Sequence, residues 1–146
     1  MSDFIPVFTR ASKLMRGAAD AAFSRHGVRV GQNLVLERLW EEDDLTPGEI
    51  ARRLGVSTPT VVKMATRMEA AGLLERRPDE RDARLVRLHL TRRGRSLRKP
   101  LERELEKLRE RATANLTAAE RRQFEAALAT MVENLEDIER IEPEEG

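Results

Sequence analysis

The sequence predicts a mainly α-helical fold with a small β-wing, on three observations. The first is composition: of 146 residues, 36% are charged and 3% aromatic, a mixture that suits exposed amphipathic helices better than a β-sandwich. The second lies within residues 45–94, where two short helical patterns meet at a tight-turn glycine and two strand-like runs follow, separated by a charged tip. The third is charge. Residues 46–99 hold 14 Lys and Arg against 6 Asp and Glu, a net of +8, while the rest of the chain holds 13 against 20, a net of −7. The total of +1 therefore conceals a basic segment in an acidic frame. Together these describe a winged helix-turn-helix, residues 29–95, carried by a helical dimerisation region, residues 1–28 and 96–146.

Each element has a local cause. Phe4, Phe8, Ala11, Met15, Ala18 and Ala22 recur at spacings of 4, 3, 4, 3 and 4, one side of a long helix. Pro6 falls in its first turn, and Gly27 ends it just after His26. A second helix, 32–40, offers Leu36, Leu39 and Trp40 to a core and stops at the acidic run 41–44. Thr46-Pro47-Gly48-Glu49 is a capping box with proline at the first helical position. Ile50, Leu54, Val61 and Met64 then supply contacts between two helices, with small Ala51 at their approach. Gly55 takes the positive φ of the turn, and Val56 is expected as its buried residue. Ser57 or Thr58 caps the next helix, 58–71, which turns Val61, Met64, Ala65 and Met68 inward and ends at Gly72.

A strand at 73–77 and an alternating run at 85–90 flank PDERDAR, which is too long for a two-residue turn. In the second run Val86, Leu88 and Leu90 are expected inward, Arg87 and His89 outward. A helix at 92–115 places Leu97, Leu101, Leu105, Leu108 and Ala112 on one face, with Pro100 bending it or loosening the bond near Ser96. Thr117-Ala118-Ala119-Glu120 repeats the capping box before a last helix carrying Phe124, Leu128, Met131, Leu135 and Ile138. Residues 142–146 are expected to fray.

Three amphipathic helices at the two ends exceed what one small domain can cover, so they are expected to pair with a second copy; an intramolecular bundle is the alternative. The second helix of the basic segment is then the one that enters a major groove of double-stranded DNA. Its outer face carries Ser57, Thr58, Thr60, Lys63 and Arg67, with Val62 at the edge. The hydroxyls can meet phosphates or base edges, and the cations a guanine edge or the backbone. Ser57 and Thr58 serve equally as helix caps. At the wing tip Arg81 and Arg84 suit a narrow, electronegative minor groove. Asp79 and Asp82 are repelled by DNA, so they are expected to pair with those arginines or cap the loop backbone.

Other classes find little support. The absence of cysteine excludes disulfides, thiolate nucleophiles and thiol redox sensing. Only His26 and His89 are present, neither with a paired histidine or a carboxylate at ligand spacing, and the glycines form no phosphate loop. No enzyme, cofactor or metal is expected. No apolar run approaches the roughly 20 residues of a membrane span, and the N-terminus lacks a secretory signal, so a cytoplasmic protein is expected.

The order of helices, wing and long closing helices resembles the MarR family of bacterial transcription regulators over nearly the whole chain. The most specific pieces are Ala70-Ala71-Gly72-Leu73-Leu74-Glu75-Arg76, the wing at 79–84, and Leu90-Thr91 with Gly94. The resemblance implies a homodimer, joined by its outer helices, that binds a pseudo-palindromic operator. It matches Arg84 to a minor-groove arginine, Asp82 to the aspartate that holds the wing, and residues 57–67 to the recognition helix. Many members release DNA when a small aromatic or lipophilic effector binds between the dimerisation and DNA-binding regions, which makes a ligand-responsive repressor the expectation. Phe8, Met15, Trp40 and Met64 are candidate walls of such a pocket, with core packing as their alternative role. The rival function is a winged helix for protein contact, or a non-specific DNA module without ligand response.

Overall fold

The computed structural model describes residues 2–141, with side-chain surroundings for 2–138. In chain order the elements are α1 (Phe4–Ser24), α2 (Gln32–Glu41), α3 (Pro47–Leu54), α4 (Thr58–Ala70), β1 (Leu74–Pro78), β2 (Val86–Leu90), α5 (Arg92–Ser96), α6 (Arg98–Ala112) and α7 (Ala118–Ile141). The fold is mainly helical with one two-stranded antiparallel wing. It forms two compact units, one through Leu108 and one from Arg109 onward.

The first unit is built on a core at the meeting of α2, α3, α4 and the hairpin. Val35, Leu36 and Leu39 of α2 meet Ile50, Ala51, Val61, Ala65 and Met68, all at most 3% exposed. Leu73, Leu74, Leu88 and Leu90 bring the wing's base into the same cluster, and Phe23, Val28, Leu97 and Leu101 complete it. The capping box at α3 forms as expected: Glu49 N–H donates to Thr46 Oγ1 at 3.2 Å, and Thr46 N–H to Glu49 Oε2 at 3.3 Å. Gly55 ends α3 in the left-handed region at φ +68°. Val56, expected to be buried, is instead 42% exposed. Its N–H bonds back to Ala51 O at 3.1 Å, which turns the side chain outward, and Leu54 packs against the core at this turn. Ser57, rather than Thr58, caps α4 by accepting from Thr60 N–H at 3.2 Å.

β1 and β2 pair with Leu74 opposite Leu90, Arg76 opposite Leu88 and Pro78 opposite Val86. Within β2 only Leu88 and Leu90 reach the core, and within β1 only Leu74 does. Val86, expected inward, sits at the outer end of the hairpin and is 38% exposed. A single-residue bridge adds a third pairing: Leu88 N–H donates to Leu45 O at 2.8 Å. The helix expected at 92–115 is interrupted. Leu97 caps α5 at φ −80° and ψ −11°, so Pro100 lies in the first turn of α6, where its missing N–H leaves no bond unmade. The loosening expected near Ser96 thus separates α5 from α6 at Leu97, which itself keeps helical φ and ψ.

In the second unit Thr117 and Glu120 form the reciprocal capping bonds, at 3.1 and 2.9 Å, that start α7. Arg109 Nε donates to Glu125 Oε1 at 2.6 Å, and Arg121 Nε to Thr113 O at 3.3 Å, fastening α7 to the preceding chain. Apolar side chains on α7 remain open: Phe124, Leu135 and Ile138 are about half exposed. The stripe on α1 is open in the same way at Phe4, Phe8 and Met15, and only Ala22 and Phe23 at its end are buried. Residues 142–146, expected to fray, lie outside the described residues. Among the described residues no helix is long and apolar enough to cross a membrane.

Candidate nucleic-acid interface

Helix α4 divides by period. Val61, Ala65 and Met68 enter the core, and Met64 is half-buried at its edge. Thr58, Thr60, Lys63 and Arg67 are exposed, and among the described residues Lys63 and Arg67 have no ion-pair partner. The Ser57 and Thr60 hydroxyls lie 2.7 Å apart, so the cap also fixes the Thr60 side chain at the start of the helix. Sequence reasoning passed over Arg52. A Cβ placed at Gly48 would stand 3.9 Å from Arg52 Nη1 and 4.0 Å from the Thr58 hydroxyl, which puts that arginine beside the first turns of both helices. Its only sequence signal is the Arg52-Arg53 pair within the basic segment.

The wing tip is held by its own acids. Asp79 accepts from the N–H groups of Arg81 and Asp82 at 3.0 and 2.8 Å and from Arg87 Nε. Asp82 accepts from the Arg84 N–H at 3.0 Å and from its guanidinium at 3.1 and 3.2 Å. The backbone closes the loop with Asp79 N–H to Leu85 O and Leu85 N–H to Asp82 O, both 3.0 Å. These donors hold both carboxyls below the ordinary 3.8, Asp79 through Arg87 first and Asp82 through Arg84 first. Asp82 therefore pairs with Arg84 as expected. Asp79 caps the loop backbone, the other expected role, and its ion-pair partner is Arg87 of β2 rather than a tip arginine. The Arg81 and Arg84 side chains remain exposed, Arg84 at 89%.

Arg87 and His89, expected outward, are both half-buried. Arg87 Nη1 donates to Asp44 O at 2.8 Å, and His89 Nε2 lies 2.7 Å from Asp44 Oδ1. His26 likewise has a carboxylate: Nε2 lies 3.2 Å from Glu104 Oε1, while Arg25 takes Oε2 at 2.9 Å. Neither partner is near in sequence, which is why spacing did not show it. Among the described residues no three His, Asp or Glu side chains gather as metal ligands.

The four candidate pocket residues do not share one cavity. Trp40 walls a cavity of about 180 Å³ with Phe23, Glu37, Arg38 and Leu101, and its Nε1 donates to Gly94 O at 2.9 Å. Glu37 in that wall is pushed up from the ordinary 4.5, mainly by burial. Met64 lines a separate, wider cleft of about 740 Å³ with Lys13, Arg16, Asp20 and Arg67. Phe8 and Met15 lie on the open stripe of α1, where the Phe8 and Phe4 ring centres are 6.1 Å apart.

A capped two-helix unit with an exposed cationic helix face and a projecting arginine-tipped hairpin is a winged helix-turn-helix. The MarR family model matches residues 30–86 of the chain. The chain is 39% identical over 75 residues to the HTH-type transcriptional regulator TtmR of Methylorubrum extorquens, a match that spans 51% of this chain and 38% of that protein. A MarR transcriptional regulator from Methanosarcina mazei superposes with a TM-score of 0.81 at 22% identity, over 94% of this chain and 99% of that one. A MarR family protein of Mycobacterium tuberculosis, solved in complex with DNA, gives 0.70 at 25% identity over 90% and 98%.

Proposed function

We propose that the chain is a sequence-specific, double-stranded-DNA-binding transcription regulator that acts as a homodimer on a pseudo-palindromic operator. One observation carries this reading. In a segment of net +8, Lys63, Arg67, Arg81 and Arg84 are turned to solvent on α4 and the wing, while Asp79 and Asp82 are spent on the loop's own donors. Two copies, joined through the open apolar faces of residues 1–28 and 96–146, set two α4 helices into successive major grooves about 34 Å apart. That the M. tuberculosis relative was solved in complex with DNA supports the DNA-binding part of this reading.

The regulator acts as a repressor that a small aromatic or lipophilic effector releases. The cleft beside Met64 supports this, since Arg67 belongs both to its wall and to the exposed face of α4. An effector there shifts DNA affinity only by its preference for one arrangement of the reading elements. The test is binding to duplexes across a salt series. Each neutralised phosphate contributes about −0.9 to the log–log slope, and selection from random duplexes should return an inverted repeat with half-sites about 10 base pairs apart. A flat salt slope refutes the DNA reading.

A further inference from the structure

Helix α4 has a third face. Val62, Thr66 and Glu69, spaced 4 and 3, flank the exposed cations on one side, and all three accept hydrogen bonds from Arg76 of the wing. Arg76 stands opposite Leu88, whose N–H leaves the hairpin for Leu45 O. The pair is therefore a non-hydrogen-bonded one, and the Arg76 N–H also points away from β2. It donates to Glu69 Oε2 at 2.9 Å. The Arg76 side chain shares a strand face with buried Leu74 and is itself half-buried. Its Nη2 donates to Val62 O at 3.0 Å and to the Thr66 hydroxyl, which itself donates to Val62 O at 3.0 Å.

We propose that Arg76 is a positioning residue that locks the wing and α4 into one rigid reader, so that Lys63 and Arg67 in one groove determine where Arg84 meets the next. This rests on the DNA reading above. An isolated two-stranded hairpin has little stability of its own, so the angle between wing and helix is set by whatever fastens β1 to α4. A guanidinium suits that task. It is permanently charged, its planar fork reaches two acceptors at once, and bonds from a charged donor are about twice as strong as neutral ones. The contacted residues Val62 and Thr66 immediately precede Lys63 and Arg67 in α4, so slack here becomes slack in the reading face.

The experiment uses the full chain with Arg76→Gln and Arg76→Lys, and Thr66→Val as a milder variant should the first two fail to fold. In the free protein, amide exchange at Arg76 and Thr66 should quicken about tenfold, the change expected for loss of a charged hydrogen bond. On DNA, affinity for the duplex selected with the wild type should fall about tenfold while random duplex changes less than about twofold, at an unchanged salt slope. A slope smaller by about one, with both duplexes weakened alike, would make Arg76 a phosphate contact and overturn the proposal. Unaltered exchange and unaltered selectivity would overturn it as well. A wild type that binds no duplex defeats the DNA reading instead, and the exchange data then decide the tie between wing and helix alone.

Discussion

Substituting Gly94 by alanine sets two physical rules against each other. On helix propensity alone, Gly→Ala within a helix is stabilising by about 1 kcal/mol. At Gly94 the added Cβ would stand 2.1 Å from Leu73 O, about 0.9 Å inside the 3.0 Å that real Cβ atoms keep, and 3.2 Å from Leu90 Cδ2. The obstructing atom is backbone at the start of the wing, so no rotamer change relieves it. α5 is also pinned: Gly94 N–H donates to Thr91 Oγ1 at 3.1 Å, Thr91 Oγ1 to Gly72 O at 2.6 Å, and Trp40 Nε1 to Gly94 O at 2.9 Å. Overpacking costs about 1–3 kcal/mol, and displacing α5 forfeits one or two hydrogen bonds of about 1 kcal/mol each. The net expectation is destabilisation by about 3 kcal/mol, a fall in Tm of roughly 10 °C for a chain of this size. Thermal unfolding by circular dichroism measures it, at matched chain concentration because association shifts Tm. An unchanged or higher Tm would refute the packing argument and show that α5 slides freely over the wing's base.

Three further predictions concern the interface and its holder. Arg84→Ala removes a side chain that is 89% exposed, so Tm should hold while operator binding weakens by about 1–3 kcal/mol in anisotropy titrations; unchanged affinity would remove the wing from the interface. Leu135→Asp places a charge on an open apolar face of α7 and should convert a sedimenting dimer into a monomer with loss of tight operator binding; a surviving dimer would exclude this face from the contact. Acid should release the wing before the core. Asp79 and Asp82 have folded values depressed below 3.8, so their contribution is complete above that value and is lost as pH falls through the lower folded values. Amide exchange in the loop between β1 and β2 should accelerate below about pH 3.8 in the wild type, and in Asp79→Asn at neutral pH already.

Local rules made most of the secondary structure legible. The two capping boxes start α3 and α7 where Thr46 and Thr117 place them, because a reciprocal cap depends only on residues three apart. Gly55, Gly72 and the proline-loosened stretch near Ser96 mark three element ends for similarly local reasons. Errors arose where burial depends on what lies beyond the strand or turn. Val86 alternates correctly but extends past the helices, and Val56 follows a left-handed glycine that aims it outward. Tertiary pairings such as Leu45 with Leu88, His26 with Glu104 and His89 with Asp44 leave no trace in spacing.

Helix α4 shows most clearly how far sequence reaches into the candidate site. Its core face is visible as an apolar period, and its outward face as cations in a basic segment. The third face is not visible, because Val62, Thr66 and Glu69 have the mixed character of any solvated surface. What defines that face is Arg76, seven residues beyond Glu69 and separated from it by the end of α4, the Gly72 turn and the start of β1. Arginine at that point reads as one more contribution to net charge, although its guanidinium is spent inside the protein on Val62 and Thr66. Charge counting therefore overstates the cations free for phosphate in this segment: Arg76 and Arg87 are both engaged internally. A salt slope is set by phosphates neutralised rather than by residues counted, so it should fall short of what a net of +8 per chain implies.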